Sequence, residues 1–579
     1  MNAATGHIAR RHDLDSLRAV AMLLGIVLHG VLAFIPATPW AVQDARPSEG
    51  FALLMALIHG FRMPLFFLVS GFFTAMLWRK RGLQKLVTHR CMRILVPLVI
   101  GLITIVPATW VVIIGASVAG GTKRLQADGG EAGLPATIWI TAAIGDVAGL
   151  ESQLAAGVDV DAWDPVTGAT PLAIAVWHDQ QQAVEFLLEH GADVNQPCRD
   201  KSTALIAAAF FGRDEIAKTL LAHGARVDAR NERGDNAAEV TYVNWSITQQ
   251  IARLVHVELD QAQLAAGRLE IRSMLKQAGD TSMTEEGTRK DRTNAGAILW
   301  ALILGAMMFP FFQHLWFLWF LCLLVAAFCI YALVIDSIPW KLPSWVVLSP
   351  VRYVWLIPAT MLPQAAMGLL YPSFGPDTSA GLLPMPWVLA YYGIFFMFGA
   401  IYFDHPDPRG QVGRWWWLTL PVALLAVFPL GYELTMQRGL IDVEWVGTSN
   451  RRWLAVFLQA TYAWFMTFGA IGMFRSLFSF ESKIMRYVSD SSYWLYLVHL
   501  PLIVLVQFVI CSWLLPSSLK LFLICTITIA LSLLSYHFCV RYTFIGTLLN
   551  GPRRRPQVVV DAILIDEPSG EAETVSPQE

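Results

Sequence analysis

Long apolar runs alternate with short charged or Pro/Gly-containing segments through most of this chain, at 15–35, 54–76, 94–116, 314–335, 346–371, 385–404, 415–432, 453–475, 490–512 and 520–541. A helix needs about 20 mainly apolar residues to cross a hydrocarbon layer of about 30 Å, and each run meets or nearly meets that length. The pattern predicts an all-α fold, a polytopic membrane bundle of ten transmembrane helices. An eleventh candidate, 297–312, is short and runs into Phe311–Trp316 without a turn.

Positive charge gives the runs a direction, because short cytoplasmic loops are enriched in Lys and Arg. With the N-terminus inside, the loop after the second run holds Arg79, Lys80, Arg81, Lys85, Arg90 and Arg93. Ten crossings also leave Arg409 and Arg414, Lys483 and Arg486, and Arg553–Arg555 inside. An eleventh would invert everything beyond residue 312, so 297–312 is read as a re-entrant or interfacial helix. Arg438, Arg451 and Arg452 fall outside and run against the rule.

Between the third and fourth runs the pattern changes to that of a different kind of protein. Gly157, Gly191 and Gly224 recur inside Gly-Val-Asp-Val-Asp, Gly-Ala-Asp-Val-Asn and Gly-Ala-Arg-Val-Asp, each after an apolar helix pair, and Ala169-Thr170-Pro171-Leu172 opens one unit as Ser202-Thr203-Ala204-Leu205 opens the next. This block resembles ankyrin repeats, whose period is near 33 residues and whose units begin T-P-L. Such a unit cannot bury its apolar face alone, so several must stack into a solenoid with a concave surface, either a protein-binding face or a passive insertion. The resulting plan is a three-span first part of the membrane core over 1–119, an ankyrin insertion over 120–294 with repeats at about 137–255, a seven-span second part with the short helix over 295–545, and a cytoplasmic tail over 546–579. Its last part, 556–579, is acidic and Pro/Ser/Glu-bearing, which predicts disorder. The ten-span topology puts the insertion on the extracytoplasmic side.

Composition supports the membrane class: 55% hydrophobic residues, 15% charged and 22 tryptophans in 579 residues, with a mean hydropathy of +0.50. The formal net charge of -2 gives no sign of nucleic-acid binding. Arg10 and Arg11 precede the first run, but Asp15 and Arg18 inside it and the lack of a small-x-small cleavage site mark it as a retained span. Seven scattered cysteines lack C-x-x-C spacing, so free thiols are expected and no metal site or disulfide framework.

Chemistry enters with ionisable residues placed inside apolar runs, which are costly there and by default mark function. Arg18 and His29 stand eleven residues apart in the first run. Eleven helical steps make roughly three turns plus 20° and a rise of roughly 16 Å, so one face carries both at two depths. Neutral imidazole can take the proton of a hydroxyl as it attacks, a service worth about 10²–10⁴ in rate, which makes His29 the candidate catalytic residue. Arg18, one turn after Asp15, and Arg90 and Arg93 near the cytoplasmic surface are candidates for phosphate binding or are topology anchors. His59, Arg62, His314, Tyr496 and His499 also lie in or beside apolar runs, as acceptor-side contacts or structural polar groups. A transporter or flippase with a proton relay through Arg18, His29, Arg62 and His499 is the alternative from another class, although no matching halves are visible.

Four patterns occur in order: Asp15-x-x-Arg18-x10-His29; Phe61-Arg62-Met63-Pro64-Leu65-Phe66-Phe67-Leu68-Val69-Ser70-Gly71-Phe72, followed by Arg90-x-x-Arg93; His314-Leu315-Trp316-Phe317-Leu318; and Ser492-Tyr493-Trp494-Leu495-Tyr496-Leu497-Val498-His499-Leu500-Pro501. Together they resemble the membrane-bound acyltransferase 3 family, in the wording of its glucan-biosynthesis branch, over about 12–116 and 314–541. The resemblance implies a bacterial inner-membrane enzyme that moves an acyl group, acetyl or succinyl, from cytoplasmic acyl-CoA to a hydroxyl of an envelope polysaccharide. It implies catalysis by His29 and donor handling by Arg18, Arg90 and Arg93, with acyl-CoA as a co-substrate and no permanently bound cofactor. The acidic companions that some branches place after the Trp motif are absent here.

Overall fold

The computed structural model describes residues 11–127, 138–278 and 303–551, apart from short gaps at 37–39, 45, 156, 165–166, 256, 304, 308, 336–341, 370–371 and 444. The described residues contain helices and no strand. They divide into two compact units, Met1–Gly121 with Ile303–Glu579, and Thr122–Leu302.

In the first unit, eight helical stretches among the described residues are long and apolar enough to cross a membrane: His12–Phe34, Glu49–Ala116, Gln313–Ile335, Pro386–Phe403, Gln411–Met436, Asn450–Leu477, Lys483–Ile510 and Ser517–Val540. Helices are the natural outcome, since backbone polar groups in hydrocarbon must pair within their own segment. The Glu49–Ala116 stretch carries two of the expected spans. Its first helix, α2 (Glu49–Arg90), is broken at Gly82, whose φ of 79° with ψ of 170° suits only glycine. The break turns the chain so that Arg90 Nη2 reaches back to Thr74 Oγ1 at 2.8 Å, and α3 (Val96–Ala127) follows.

One expected span is corrected. Over 346–371 the chain forms two short helices, Ser344–Leu348 and Arg352–Gln364, the second with Pro358 and Pro363 inside it. Thirteen residues rise only about 20 Å, and proline removes a ladder hydrogen bond wherever it sits, so the segment is helical but falls short of a full crossing. Pro421 has a similar effect in Gln411–Met436, where a π turn at Ala423–Val427 follows it. Half of the 297–312 segment lies outside the described residues, as does the whole tail beyond 551.

Contacts between helices give their directions. Gly25 of α1 (His12–Val31) meets Arg62, and Phe34 stacks with Phe51, so α1 and α2 run antiparallel. Phe67 meets Phe317 and Trp78 meets Phe328, so the helix Trp316–Ile335 runs parallel to α2. Pro386–Phe403 also runs with α2, and these two backbones touch: a Cβ on Gly71 would fall 1.9 Å from Phe396 O, and one on Gly399 1.9 Å from Leu68 O. Small residues at such crossings let helices pack where lipid offers no hydrophobic drive. Two parallel helices need a return between them; the broken helix makes it only with its flanking chain, since Leu342 O faces His405 Nε2 at one level and Pro376 O faces His59 Nε2 at another.

The three arginines that run against the charge rule in the ten-span reading each have a partner. Arg438 pairs with Glu49 at 3.4 Å, Arg451 Nε donates to Val446 O, and Arg452 Nη2 donates to Ala365 O and Met367 O.

The second unit is a stack of short helix pairs. Thr170, Thr203 and Asn236 cap successive helices at intervals of 33 residues, each accepting from a backbone N–H three positions on, with a reciprocal capping box at Asn236 and Glu239. Gly157, Gly191 and Gly224 adopt φ of 84°, 89° and 86°, the left-handed region that ends each outer helix. Val184 and Leu187 are repeated in the core as Ala217 and Leu220. A helix absent from the sequence reading, Gln261–Gln277, closes the stack: Gly267 lies against Gly212, and Arg268 donates to Phe210 O, Val243 O and Thr248 Oγ1.

Candidate functional site

The helix Lys483–Ile510 runs beside α1 in the same direction and measures out the site. Near its start, Ser489 accepts from Arg18 Nη2 through its hydroxyl at 2.8 Å and its carbonyl at 3.1 Å, while Asp15 lies 3.9 Å from the same guanidinium. One turn on, Tyr493 Oη donates to Arg93 O at 2.7 Å, and the Arg93 guanidinium lies against Gly551. Arg18, Arg90 and Arg93 are therefore gathered at one end of the bundle.

Ten residues beyond Ser489, or roughly 15 Å, three imidazoles converge. The His29 ring is 5.1 Å from that of His499, which is 5.4 Å from that of His314. Since Arg18 meets Ser489 and His29 meets His499, the face of α1 predicted to carry both does so. Tyr496 Oη donates to the His314 carbonyl at 2.5 Å.

Hydrogen bonding assigns tautomers here. His499 Nδ1 faces Leu495 O at 3.1 Å and Tyr496 O at 2.8 Å, and His314 Nε2 faces Leu497 O at 3.0 Å. Carbonyls only accept, so both nitrogens carry protons. In the neutral rings, His499 Nε2 and His314 Nδ1 are left as lone pairs, both buried and without a partner. His29 Nδ1 is likewise buried and unpartnered, but the residue as a whole is only half-buried. The His29 and His499 ring centres are 5.1 Å apart, and neither His29 Nδ1 nor His499 Nε2 makes a hydrogen bond.

Four residues that hold this centre were missed by the sequence reading. Trp40 stacks on His29 with ring centres 6.0 Å apart and planes 17° apart, and its Nε1 donates to Gln507 Oε1 at 2.8 Å. Gln507 Nε2 in turn donates to the carbonyls of His29 and Gly30, both at 3.1 Å. The loop bearing Trp40 is tied down by Asp44, which meets Lys520 Nζ at 2.7 Å with both side chains sealed from solvent. Gln507 and Lys520 sit in apolar runs, and the cost of polar groups there was the available signal. Among the residues singled out from the sequence, His59 belongs to the scaffold, since its Nε2 lies 2.7 Å from Pro376 O. Arg62 is half-buried between α1 and α2, with its guanidinium against Gly25.

A half-buried imidazole inside the bundle, with cations roughly 15 Å away toward one end, is an arrangement that can bring a donor and an acceptor together. The family model for an acyltransferase domain matches residues 11–131 and 289–537, well over half of the chain. The chain belongs to the acyltransferase 3 family. A model for three copies of ankyrin repeats matches residues 138–231, inside the gap between the two acyltransferase 3 segments. The chain is also similar to the glucans biosynthesis protein C of Escherichia coli strain SMS-3-5 / SECEC and of Escherichia coli O1:K1 / APEC, each 42% identical over 89 residues. That stretch is 15% of this chain and spans 23% of the length of each relative. The protein is thus a multi-pass membrane member of the acyltransferase 3 family with an inserted ankyrin unit.

Proposed function

We propose that this acyltransferase takes an acetyl or succinyl group from cytoplasmic acyl-CoA and places it on a hydroxyl of an extracytoplasmic carbohydrate, an envelope glucan or related polysaccharide, with His29 as general base. The observation that supports the reading is the convergence of the His29, His499 and His314 rings inside the bundle, with ring centres 5.1 and 5.4 Å apart. The acceptor oxygen attacks the thioester carbon while its proton passes to His29 Nε2. When the C–S bond breaks, that proton passes to the sulfur. His499 accepts the Nδ1–H throughout and steadies the imidazolium, as the third member of a nucleophile–base–orienter set does.

Arg18, Arg90 and Arg93 supply guanidinium donors for the phosphates of CoA at the end where Lys and Arg concentrate. The glucan acceptor rests on the likeness to glucans biosynthesis protein C. α3 and α1 run in the same direction, which supports an extracytoplasmic ankyrin unit in a bacterial inner membrane, where its concave surface is available to a protein partner.

The test is release of CoA from radiolabelled acetyl-CoA or succinyl-CoA by protein reconstituted in liposomes. Wild-type turnover that His29→Ala abolishes, with the variant still monodisperse, supports the reading. Turnover that persists in His29→Ala removes it.

A further inference from the structure

Arginines that serve the scaffold of this protein are recognisable. Arg352 donates to Leu348 O, Ser349 O and Val412 O, and Arg268 to Phe210 O, Val243 O and Thr248 Oγ1. Arg62 differs from both. Its one hydrogen bond runs from Nη2 to the thioether of Met63 at 3.5 Å, no backbone carbonyl accepts from it, and no carboxylate pairs with it among the described residues; its Nε, like that of Arg352, is buried without a partner. The hydroxyls within its electrostatic reach bring no balancing charge: Tyr496 Oη is spent on the His314 carbonyl, and Tyr392 Oη makes no hydrogen bond. An uncompensated cation inside a membrane bundle is costly. It is accounted for if its anion appears during the reaction.

Position says which anion. A Cβ built on Gly25 would fall 1.9 Å from Arg62 Nη1, so the guanidinium occupies the space a side chain would take there. Gly25 precedes His29 by four residues, about one helical turn and 6 Å, on the side from which the arginine-rich end is approached. Resting on the acyl-transfer reading above, we infer that Arg62 is the oxyanion donor of this site. When the acceptor oxygen bonds to the thioester carbon, the carbonyl π pair moves to the carbonyl oxygen and the acceptor proton moves to His29. Arg62 donates to that oxygen. The C=O then re-forms, the C–S bond breaks with its pair on sulfur, and the sulfur takes the proton from His29. The negative oxygen exists only between these two events, so the interaction lowers the barrier without tightening substrate binding.

The experiment measures steady-state CoA release by the full-length protein in liposomes, with acetyl-CoA and succinyl-CoA as separate donors. Arg62→Met should lower kcat by about 10²–10³, the usual cost of one oxyanion donor, equally for both donors and with KM within about threefold. Gly25→Ala, which keeps the charge but displaces the guanidinium, should lower kcat in the same pattern and covers the case in which Arg62→Met does not fold. Wild-type kcat in a folded Arg62→Met, or in Gly25→Ala, overturns the inference. So does a loss confined to succinyl-CoA and expressed in KM, which would mean that the guanidinium binds the acyl carboxylate. Absence of turnover in the wild type overturns the acyl-transfer reading and this inference with it, whereas wild-type turnover with fully active variants overturns this inference alone.

Discussion

Replacing Lys520 with methionine removes one half of an ion pair that is sealed on both sides. The Lys520 side chain is 2% exposed and that of Asp44 0%. Nζ makes two contacts, to Asp44 Oδ2 at 2.7 Å and to Cys511 O at 2.8 Å. Methionine fills nearly the same volume but leaves the Asp44 carboxylate with the Arg46 N–H, 2.9 Å from Oδ1, as its donor. Breaking a buried pair from one side costs about 3–5 kcal/mol, while removing both charges costs much less or nothing. Lys520→Met should therefore melt well below wild type, and Asp44→Leu/Lys520→Met should recover most of the difference. Thermal unfolding in detergent, followed by intrinsic tryptophan fluorescence, measures this. The same loop carries Trp40, so the single variant should also lose acyl transfer at temperatures where it remains folded. A single variant that melts with wild type, or a double variant no better than the single, would refute the view that this pair holds the loop over His29.

Other expectations follow from individual contacts. His499→Gln places an acceptor oxygen close to the position of Nε2 and should retain a measurable fraction of kcat, whereas His499→Leu and His499→Asn should lose about 10²-fold or more; equal activity in all three would remove His499 from the mechanism. Gly399→Ala sets a methyl 1.9 Å from Leu68 O, and backbone cannot yield as a side chain can, so the yield of monodisperse protein should fall sharply, by an overpacking cost of at least about 1–3 kcal/mol. Burial pushes the Cys198 thiol up to about 11, and thiolate is the reactive form; at pH 8 it should resist maleimide in folded protein and react once the protein is denatured, as counted by peptide mass mapping. Labelling of Cys198 as fast in folded as in denatured protein would contradict its burial.

Much of this architecture can be read along the chain because membranes and repeats both impose local periodicities. The 33-residue interval between Thr170, Thr203 and Asn236 and the shared face of Arg18 and His29 are consequences of spacing alone. What escaped was non-local or too small to alter an average. Pro358 and Pro363 barely change the hydropathy of 346–371, yet they shorten its helix. Nothing local in the sequence marks Trp40, because the Gln507 that holds it lies hundreds of residues away. Sequence alone leaves Arg62 open between acceptor contact and scaffold, and what separates it from Arg352 is the lack of carbonyl acceptors.

The most direct measurement is a cryo-EM structure of the protein with a non-transferable acyl-CoA analogue in which the thioester is replaced by a thioether. The account predicts CoA phosphates among Arg18, Arg90 and Arg93, with the reacting carbon placed so that an acceptor oxygen at His29 Nε2 stands about 3–3.5 Å from it. An analogue bound away from those arginines, or one whose reacting carbon cannot approach the His29 ring, would contradict it.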